Sequence, residues 1–180
     1  MSSINHFFLP PECFSGSEIS FPVDTARQIT RVLRLQVDDK VVVLNNHGDT
    51  FLVQLVETGS NRATGRITGR LQLNTETGFE LVVCLALTQR EKFEWMLQKC
   101  TELGVTAFIP MLTERSLVTK GHDDLQKTER RLQIIREAAE QSHRLRLPDL
   151  KPTMAFHQTL DAAHTAGKVI LLHESAETAL

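Results

Sequence analysis

The 180-residue chain predicts a two-part fold, all-β in front and α/β behind. Three observations carry this. Short strands separated by turn clusters fill residues 1–73 and point to a small β-barrel or sandwich. The stretch Asn74-Thr75-Glu76-Thr77-Gly78 is polar and apolar-free, and makes the boundary. From 79 to 180, apolar strands alternate with helices, the pattern of a parallel sheet.

In the front half, Val41-Val42-Val43-Leu44 leads into the turn cluster Asn45-Asn46-His47-Gly48-Asp49. Phe51-Leu52-Val53-Gln54-Leu55-Val56 returns, so a hairpin is predicted. Gly59-Ser60-Asn61 is a second turn, and 62–73 reads as another strand. A helix is predicted over 25–34. At 100° per residue, Arg27, Arg31 and Arg34 form one stripe, with Ile29, Val32 and Leu33 opposite. That apolar side can cover an end of the barrel. Arg62, Arg66 and Arg70 are spaced by four, which sets them on one face of a regular strand. Both arginine sets can track a phosphate backbone. The alternative is a solvated surface, since residues 1–78 hold seven basic and eight acidic residues.

In the second half, Leu81-Val82-Val83-Cys84-Leu85-Ala86-Leu87 reads as a strand buried on both faces. Phe93, Met96 or Leu97, Cys100 and Leu103 then fall on one side of a helix, and Gly104 suits its left-handed terminus. A strand to residue 112 follows, completing a right-handed parallel crossover. Its carboxyl edge carries Thr88-Gln89-Arg90-Glu91-Lys92 and Thr113-Glu114-Arg115-Ser116. Open parallel sheets bind ligands at that edge. Phe93 and Trp95 read as core, with base stacking by these aromatics as the alternative. The next helix, capped by Asp123 or Asp124, is predicted to run to about His143. Leu125, Leu132, Ile135, Ala138 and Ala139 trace its buried side, and Pro148 stops it. A weaker helix over 156–166 precedes Val169-Ile170-Leu171-Leu172, read as a third buried strand. Nothing after it packs on that strand, so the α/β part is expected to be the front of a longer domain.

Glycine-rich phosphate loops and the GxSxG elbow are absent. Glu137, Glu140, Gln141 and Arg144 lie at i, i+3, i+4 and i+7. Glu140 and Arg144 either pair across one turn, or this face joins the Glu114-Arg115-Ser116 loop around an anionic substrate. Seven histidines show no i, i+4 pair, so no metal site is expected. Cys13, Cys84 and Cys100 form no CxxC motif; Cys84 and Cys100, on predicted core faces, read as small buried hydrophobes, which fits a reducing cytoplasm. No secretory leader and no membrane span is read. A net charge of −2 leaves RNA binding to local patches.

Several separate stretches, in order, resemble the ribosomal RNA small subunit methyltransferase E family. They are Arg31-Val32-Leu33-Arg34-Leu35, residues 91–105 (Glu91-Lys92-Phe93-Glu94-Trp95 onward), Glu114-Arg115-Ser116, and Glu137-Ala138-Ala139-Glu140-Gln141-Ser142-His143-Arg144. The resemblance implies a PUA-like β-barrel over 1–73 that binds ribosomal RNA. It implies a SPOUT-type α/β domain over 79–180, ending before its trefoil knot. It also implies a homodimer that methylates uridine N3 of 16S rRNA from S-adenosylmethionine. On that reading Arg27, Arg31, Arg34, Arg62 and Arg66 contact RNA. Arg115 and Arg144, at the sheet's active edge, support the charge that develops on the base. The Gly-Pro-Glu-Gly-Gly and Leu-Gly-x-x-x-Leu-Arg stretches of the family are missing. The cofactor loops are therefore expected beyond Leu180, and this chain is expected to be an inactive fragment. The family pattern also has arginine at His6, a histidine pair at Ala26-Arg27 and glycine at His143. The rival reading is a non-catalytic RNA-binding protein whose α/β part is a dimerisation platform.

Overall fold

A computed structural model describes residues 4–116, 125–164 and 167–172. The front half is one six-stranded curled sheet. Its strands are β1 (His6–Phe8), β2 (Phe14–Ser15), β3 (Glu18–Phe21), β4 (Lys40–Leu44), β5 (Thr50–Thr58) and β6 (Ala63–Leu71). They lie in the order β1-β4-β5-β6-β3-β2, with β1 parallel to β4 and the other pairs antiparallel. The edge strands β1 and β2 are not hydrogen-bonded to each other among the described residues. Curling still brings Phe7 of β1 edge-on to Phe21 of β3, with centroids 6.1 Å apart. Strand alternation sends Phe7, Val41, Val43, Phe51, Val53 and Leu55 into one buried cluster. The predicted hairpin is β4–β5.

The predicted helix over 25–34 is short and changes winding. α1 (Val23–Arg27) passes into a π-helical segment (Gln28–Val32), and Arg34 lies beyond it in left-handed backbone with φ 54°. Ala26 and Ile29 plug the sheet core and Leu33 packs against it, as expected. Val32, placed on that apolar side by a 100° wheel, is exposed instead. The wider π turn rotates it out of the stripe.

The second half is a parallel sheet. β7 (Val82–Ala86) and β8 (Ala107–Leu112) flank α2 (Arg90–Glu102), as predicted. Gly104 has φ 95°, and a Cβ there would meet Thr77 Cγ2 at 2.7 Å. Glycine thus serves both the helix terminus and the close approach of Thr77. α3 (Leu125–Gln141) packs beside α2 and buries Ile134, Ile135, Ala138 and Ala139. Its expected cap at Asp123 or Asp124 lies outside the described residues.

Several apolar residues are not where periodicity put them. Leu125 and Leu132 of α3, and Trp95 and Leu103 on and after α2, are exposed. β7 has only one strand neighbour in the described residues, and Val82 is half-exposed. Val169–Leu172 is not a strand, and Leu172 is 81% exposed. The third strand of the sheet is instead split between β9 (Asp149–Leu150) and β10 (Met154–Ala155), both parallel to β8. Pro152 removes a donor between them, which is why so short a pair escapes a periodicity reading. α4 (Phe156–His164) matches the weaker predicted helix.

The two halves share a core. Phe8, Val42 and Leu44 point away from the front cluster and pack on Ala139 of α3, with Leu71, Leu145 and Leu147 around them. β4 is therefore buried on both faces. Leu147 N–H donates to Asn46 Oδ1 at 2.7 Å, and Thr75 Oγ1 donates to the His143 carbonyl at 2.9 Å.

Candidate functional site

The carboxyl edge of the parallel sheet forms where β7 and β8 end. Leu87 N–H extends the ladder to the Met111 carbonyl at 2.9 Å, and α2 begins at Arg90. After β8 the chain makes a tight turn. Thr113 N–H donates to Ser116 Oγ at 2.9 Å, and Ser116 N–H donates to the Thr113 carbonyl at 3.0 Å. This closed turn holds Arg115 outward and exposed, just past the central strand. A guanidinium there can stabilise negative charge on a group bound over the strand ends.

Arg144 is elsewhere. It is 4% exposed and reaches the amino end of β8, not the carboxyl edge. Its Nη1 donates to the Thr101 carbonyl at 3.3 Å and to the Val105 carbonyl. Its Nε and Nη2 grip the two oxygens of Glu76, at 3.4 and 2.5 Å. Glu76 Oε1 also accepts the N–H groups of Leu145 and Arg146 at 2.7 and 3.2 Å. Burial pushes the Glu76 carboxyl up. The Arg144 and Leu145 hydrogen bonds, the Arg144 charge and the Arg146 hydrogen bond outweigh it and hold the group below its ordinary range. The link between the halves is thus clasped to α2, β8 and the segment after α3.

The expected Glu140–Arg144 pair does not form. α3 ends at Gln141 and His143 takes φ 57°, so Arg144 turns away from the helix face. Glu140 is 9% exposed, and its Oε1 accepts the Phe8 N–H of β1 at 2.9 Å. Burial pushes its carboxyl up to about 7, against the Phe8 hydrogen bond and the Arg136 charge, with Glu137 adding to the rise. Beside it, His6 and His143 meet edge to face with centroids 4.2 Å apart. Burial, then the charge of His143, lowers His6 to about 4, and its Nδ1 is buried without a partner.

An open cleft of about 560 Å³ lies where the π-helical segment faces α2 and α3. Glu91, Glu94, Glu137 and Glu140 line it, with Trp95 and Arg130. Glu94 is ion-paired to Arg90 at 2.7 Å and to Arg130 at 3.4 Å. The Glu137–Glu140–Gln141 face therefore opens on carboxylates and is unsuited to the anionic substrate expected there.

The front-half arginines do not form two stripes. Arg27, Arg31 and Arg34 are all exposed, Arg27 at the end of α1, Arg31 in the π-helical segment and Arg34 beyond it in left-handed backbone. β6 is irregular, because Gly69 pairs Leu52 and Ile67 pairs Val53, leaving Thr68 as the extra residue. Residues directly opposed in an antiparallel pair share a face. Arg66 opposes Gln54 on the outer face, whereas Arg70 opposes the core residue Phe51 and stacks on its ring at 5.3 Å. Arg62 precedes the strand and pairs with Glu57 at 3.1 Å, while Arg70 reaches Asp49 at 3.6 Å. Such exposed pairs are worth at most about 1 kcal/mol and open readily for a phosphate. Sequence reasoning missed Glu76, treated only as boundary, and the Phe8–Glu140 tie. Partners 68 and 132 residues apart leave no local signal.

Among the described residues, no group of three His, Cys, Asp or Glu side chains can hold a metal, and no helix is long and apolar enough to cross a membrane. Neither of the two cavities at the seam is lined by residues 87–90 or 112–116. Residues 75–180 match the model of an RNA methyltransferase domain, and 24–68 that of an RNA methyltransferase PUA domain. A ribosomal RNA small subunit methyltransferase E of Synechocystis is 32% identical over 151 residues, covering 84% of this chain and 48% of the relative. The chain thus spans about half the length of that relative. The structure superposes with a TM-score of 0.87 on a putative methyltransferase of Legionella pneumophila bound to S-adenosylmethionine. That match has 24% identity over 97% of this chain and 73% of that one. A ribosomal RNA small subunit methyltransferase E of Neisseria gonorrhoeae, also bound to S-adenosylmethionine, superposes at 0.81. It has 24% identity over 88% of this chain and 65% of that one.

Proposed function

This chain belongs to the RNA methyltransferase domain family, and on that premise we propose that its whole protein methylates N3 of a uridine in 16S rRNA. The observation that carries the reading is the parallel β7–α2–β8 unit with Arg115 exposed past its central strand, joined through a shared core to a PUA-family sheet. We assign RNA docking to the front half, through Arg27, Arg31, Arg34, Arg62 and Arg66. The sheet is read as a PUA-like barrel and the α/β half as the entry to a SPOUT-type knot.

S-adenosylmethionine would supply an electrophilic methyl group. No described residue is assigned to holding it. The loops that hold it are expected in the part of the relatives that this chain does not span. What this chain supplies is position and charge. Uridine N3 carries a proton and is a poor nucleophile until that proton is lost or polarised. The base must leave its stack, and a cation must face the carbonyl oxygen that gains charge. Arg115 is placed for that. Arg144 acts through structure, holding the amino end of β8 rather than touching substrate. A homodimer working in the reducing cytoplasm, with Cys13, Cys84 and Cys100 free, completes the reading.

The test is methyl transfer to small ribosomal subunits lacking the modification, followed by mass spectrometry of the digested RNA. The whole protein is expected to produce N3-methyluridine, and the 180-residue chain alone to produce none. Incorporation at another base or another atom would overturn the uridine assignment. RNA binding by the whole protein with no transfer would favour the non-catalytic rival.

A further inference from the structure

The turn between β4 and β5 is fastened to both halves of the molecule. Asn46 takes left-handed backbone with φ 60°, a conformation that asparagine tolerates. Its Oδ1 accepts the Leu147 N–H at 2.7 Å, which ties the turn to the segment after α3. Two guanidinium groups reach this turn, one from each half. Arg146 of the α/β half brings its Nη2 to 3.7 Å from where a Cβ on Gly48 would stand. Arg70 of β6 brings its Nη1 to 3.6 Å from Asp49 Oδ1. Gly48 and Asp49 are chain neighbours, with Cα atoms about 3.8 Å apart, so both cations share one patch of surface. Arg70, Arg146 and His47 of the turn are all exposed.

The nearby acids leave these charges available. Arg146 has no ion pair among the described residues. Its backbone N–H donates to Glu76 Oε1 at 3.2 Å, but the Glu76 charge is already gripped by Arg144. The chain thus sends Arg144 inward as a strut and Arg146 outward. Asp49 answers Arg70 at more than hydrogen-bond length, across an exposed pair worth at most about 1 kcal/mol. Asp49 is held independently by Asn45 Nδ2 at 2.9 Å, so it keeps a partner when Arg70 leaves. Stacking on the Phe51 ring at 5.3 Å aims Arg70. A guanidinium forks onto phosphate oxygens. An RNA strand repeats that anion along its length and can meet both groups at once.

We propose that this turn is an RNA-backbone clamp across the seam, with Arg70 and Arg146 each taking a phosphate of one strand. The clamp rests on the RNA reading above and adds to it a contact made by the α/β half. Arg146 stands just before β9, whose Asp149 pairs with Ala107 at the start of β8. Arg115 lies past the other end of that six-residue strand, about 20 Å away. The clamp therefore holds RNA flanking the target nucleotide and takes no part in stabilising charge on the base.

Filter binding of the whole protein to a 16S rRNA transcript, over a series of salt concentrations, tests the clamp without requiring methyl transfer. Arg146→Gln and Arg70→Gln should each weaken binding about 10-fold, the scale of one charged hydrogen bond. Each should also lower the slope of log K against log salt by about one. Both side chains are exposed, so an unchanged melting temperature checks the fold. Asp49→Asn removes the competing carboxylate and should tighten binding, a change that damage to the fold would not imitate. Arg130→Gln, an exposed arginine near the start of α3, should leave binding unchanged. In methyl transfer, Arg146→Gln should raise KM for RNA at constant kcat, the opposite of a loss at Arg115. Arg70 and Arg146 variants that bind like the parent overturn the clamp and leave the methylation reading standing. A parent that binds no RNA overturns both. The clamp is also overturned if Arg130→Gln weakens binding as much as Arg146→Gln, which marks diffuse attraction. Polyglutamate that competes as well as RNA at matched charge overturns it in favour of an acidic polypeptide.

Discussion

Replacing Glu140 with glutamine should flatten one limb of the pH dependence of stability. Glu140 is buried at the seam, its Oε1 accepts the Phe8 N–H, and its carboxyl is pushed up to about 7 from an ordinary 4.5. The folded chain therefore keeps this proton where the unfolded chain has lost it. Its contribution to stability is fully present below pH 4.5 and is lost as the pH rises through 7. A shift from 4.5 to about 7 corresponds to about 3 kcal/mol over that window. Glutamine keeps an oxygen for Phe8 N–H and removes the titration. The variant and the parent should thus be nearly equal near pH 4.5. The variant should be the more stable by about 3 kcal/mol at pH 8. Urea denaturation of both chains at half-unit steps from pH 4.5 to 8.5 measures the difference. His6, lowered to about 4 at the same seam, adds the opposite slope below its ordinary 6.5. It is present in both chains, so it cancels in the difference. A difference curve that stays flat across this range would refute the reasoning.

Arg144→Met should cost about 3–5 kcal/mol in denaturant titrations, because Glu76 and the carbonyls of Thr101 and Val105 lose their buried partner. Glu76→Gln should cost less and should remove stability only above the depressed carboxyl pKa, so the two chains converge as the pH falls through it. Arg115→Ala in the whole protein should leave the melting temperature unchanged, since Arg115 is exposed. It should lower kcat for methyl transfer about 100-fold, the scale of one lost charge-stabilising donor. Substituting Arg31 and Arg66 with glutamine should weaken RNA binding alike for all sequences. Filter binding at several salt concentrations should show the slope of log K against log salt falling by about one for each arginine that contacts phosphate.

Local pattern reached most elements because local forces form them. The crossover from β7 to β8 was legible since an apolar run, a helical repeat and a glycine follow in order, each needing only its near neighbours. Gly104 illustrates this: its left-handed backbone was read from its place after α2. Its second constraint, Thr77 against the missing Cβ, was not. Trp95 and Leu132 are exposed although periodicity sets them among apolar neighbours. A hydrophobic wheel says which residues share a side, but exposure depends on which neighbour arrives to cover that side. The Arg62–Arg66–Arg70 reading failed for a related reason. A spacing of four means one face only in a regular strand, and the extra residue at Thr68 is set by pairing with β5.

The sequence by itself determined the β4–β5 hairpin, the β7–α2–β8 crossover and the family resemblance. Those are recorded in composition, periodicity and motifs within a few tens of residues. Tertiary structure alone decided how the halves lock together. Glu76 and Arg144, Phe8 and Glu140, and His6 and His143 come from distant parts of the chain and leave no mark on local periodicity. The same holds for Arg144, which stands four places from Glu140 and so invited a helical pairing. Its role as a buried strut follows from the left-handed turn at His143 and from the carbonyls that the folded sheet presents to it. Arg115 is the converse: its place past a parallel strand was readable in advance, because strand direction alone sets that edge.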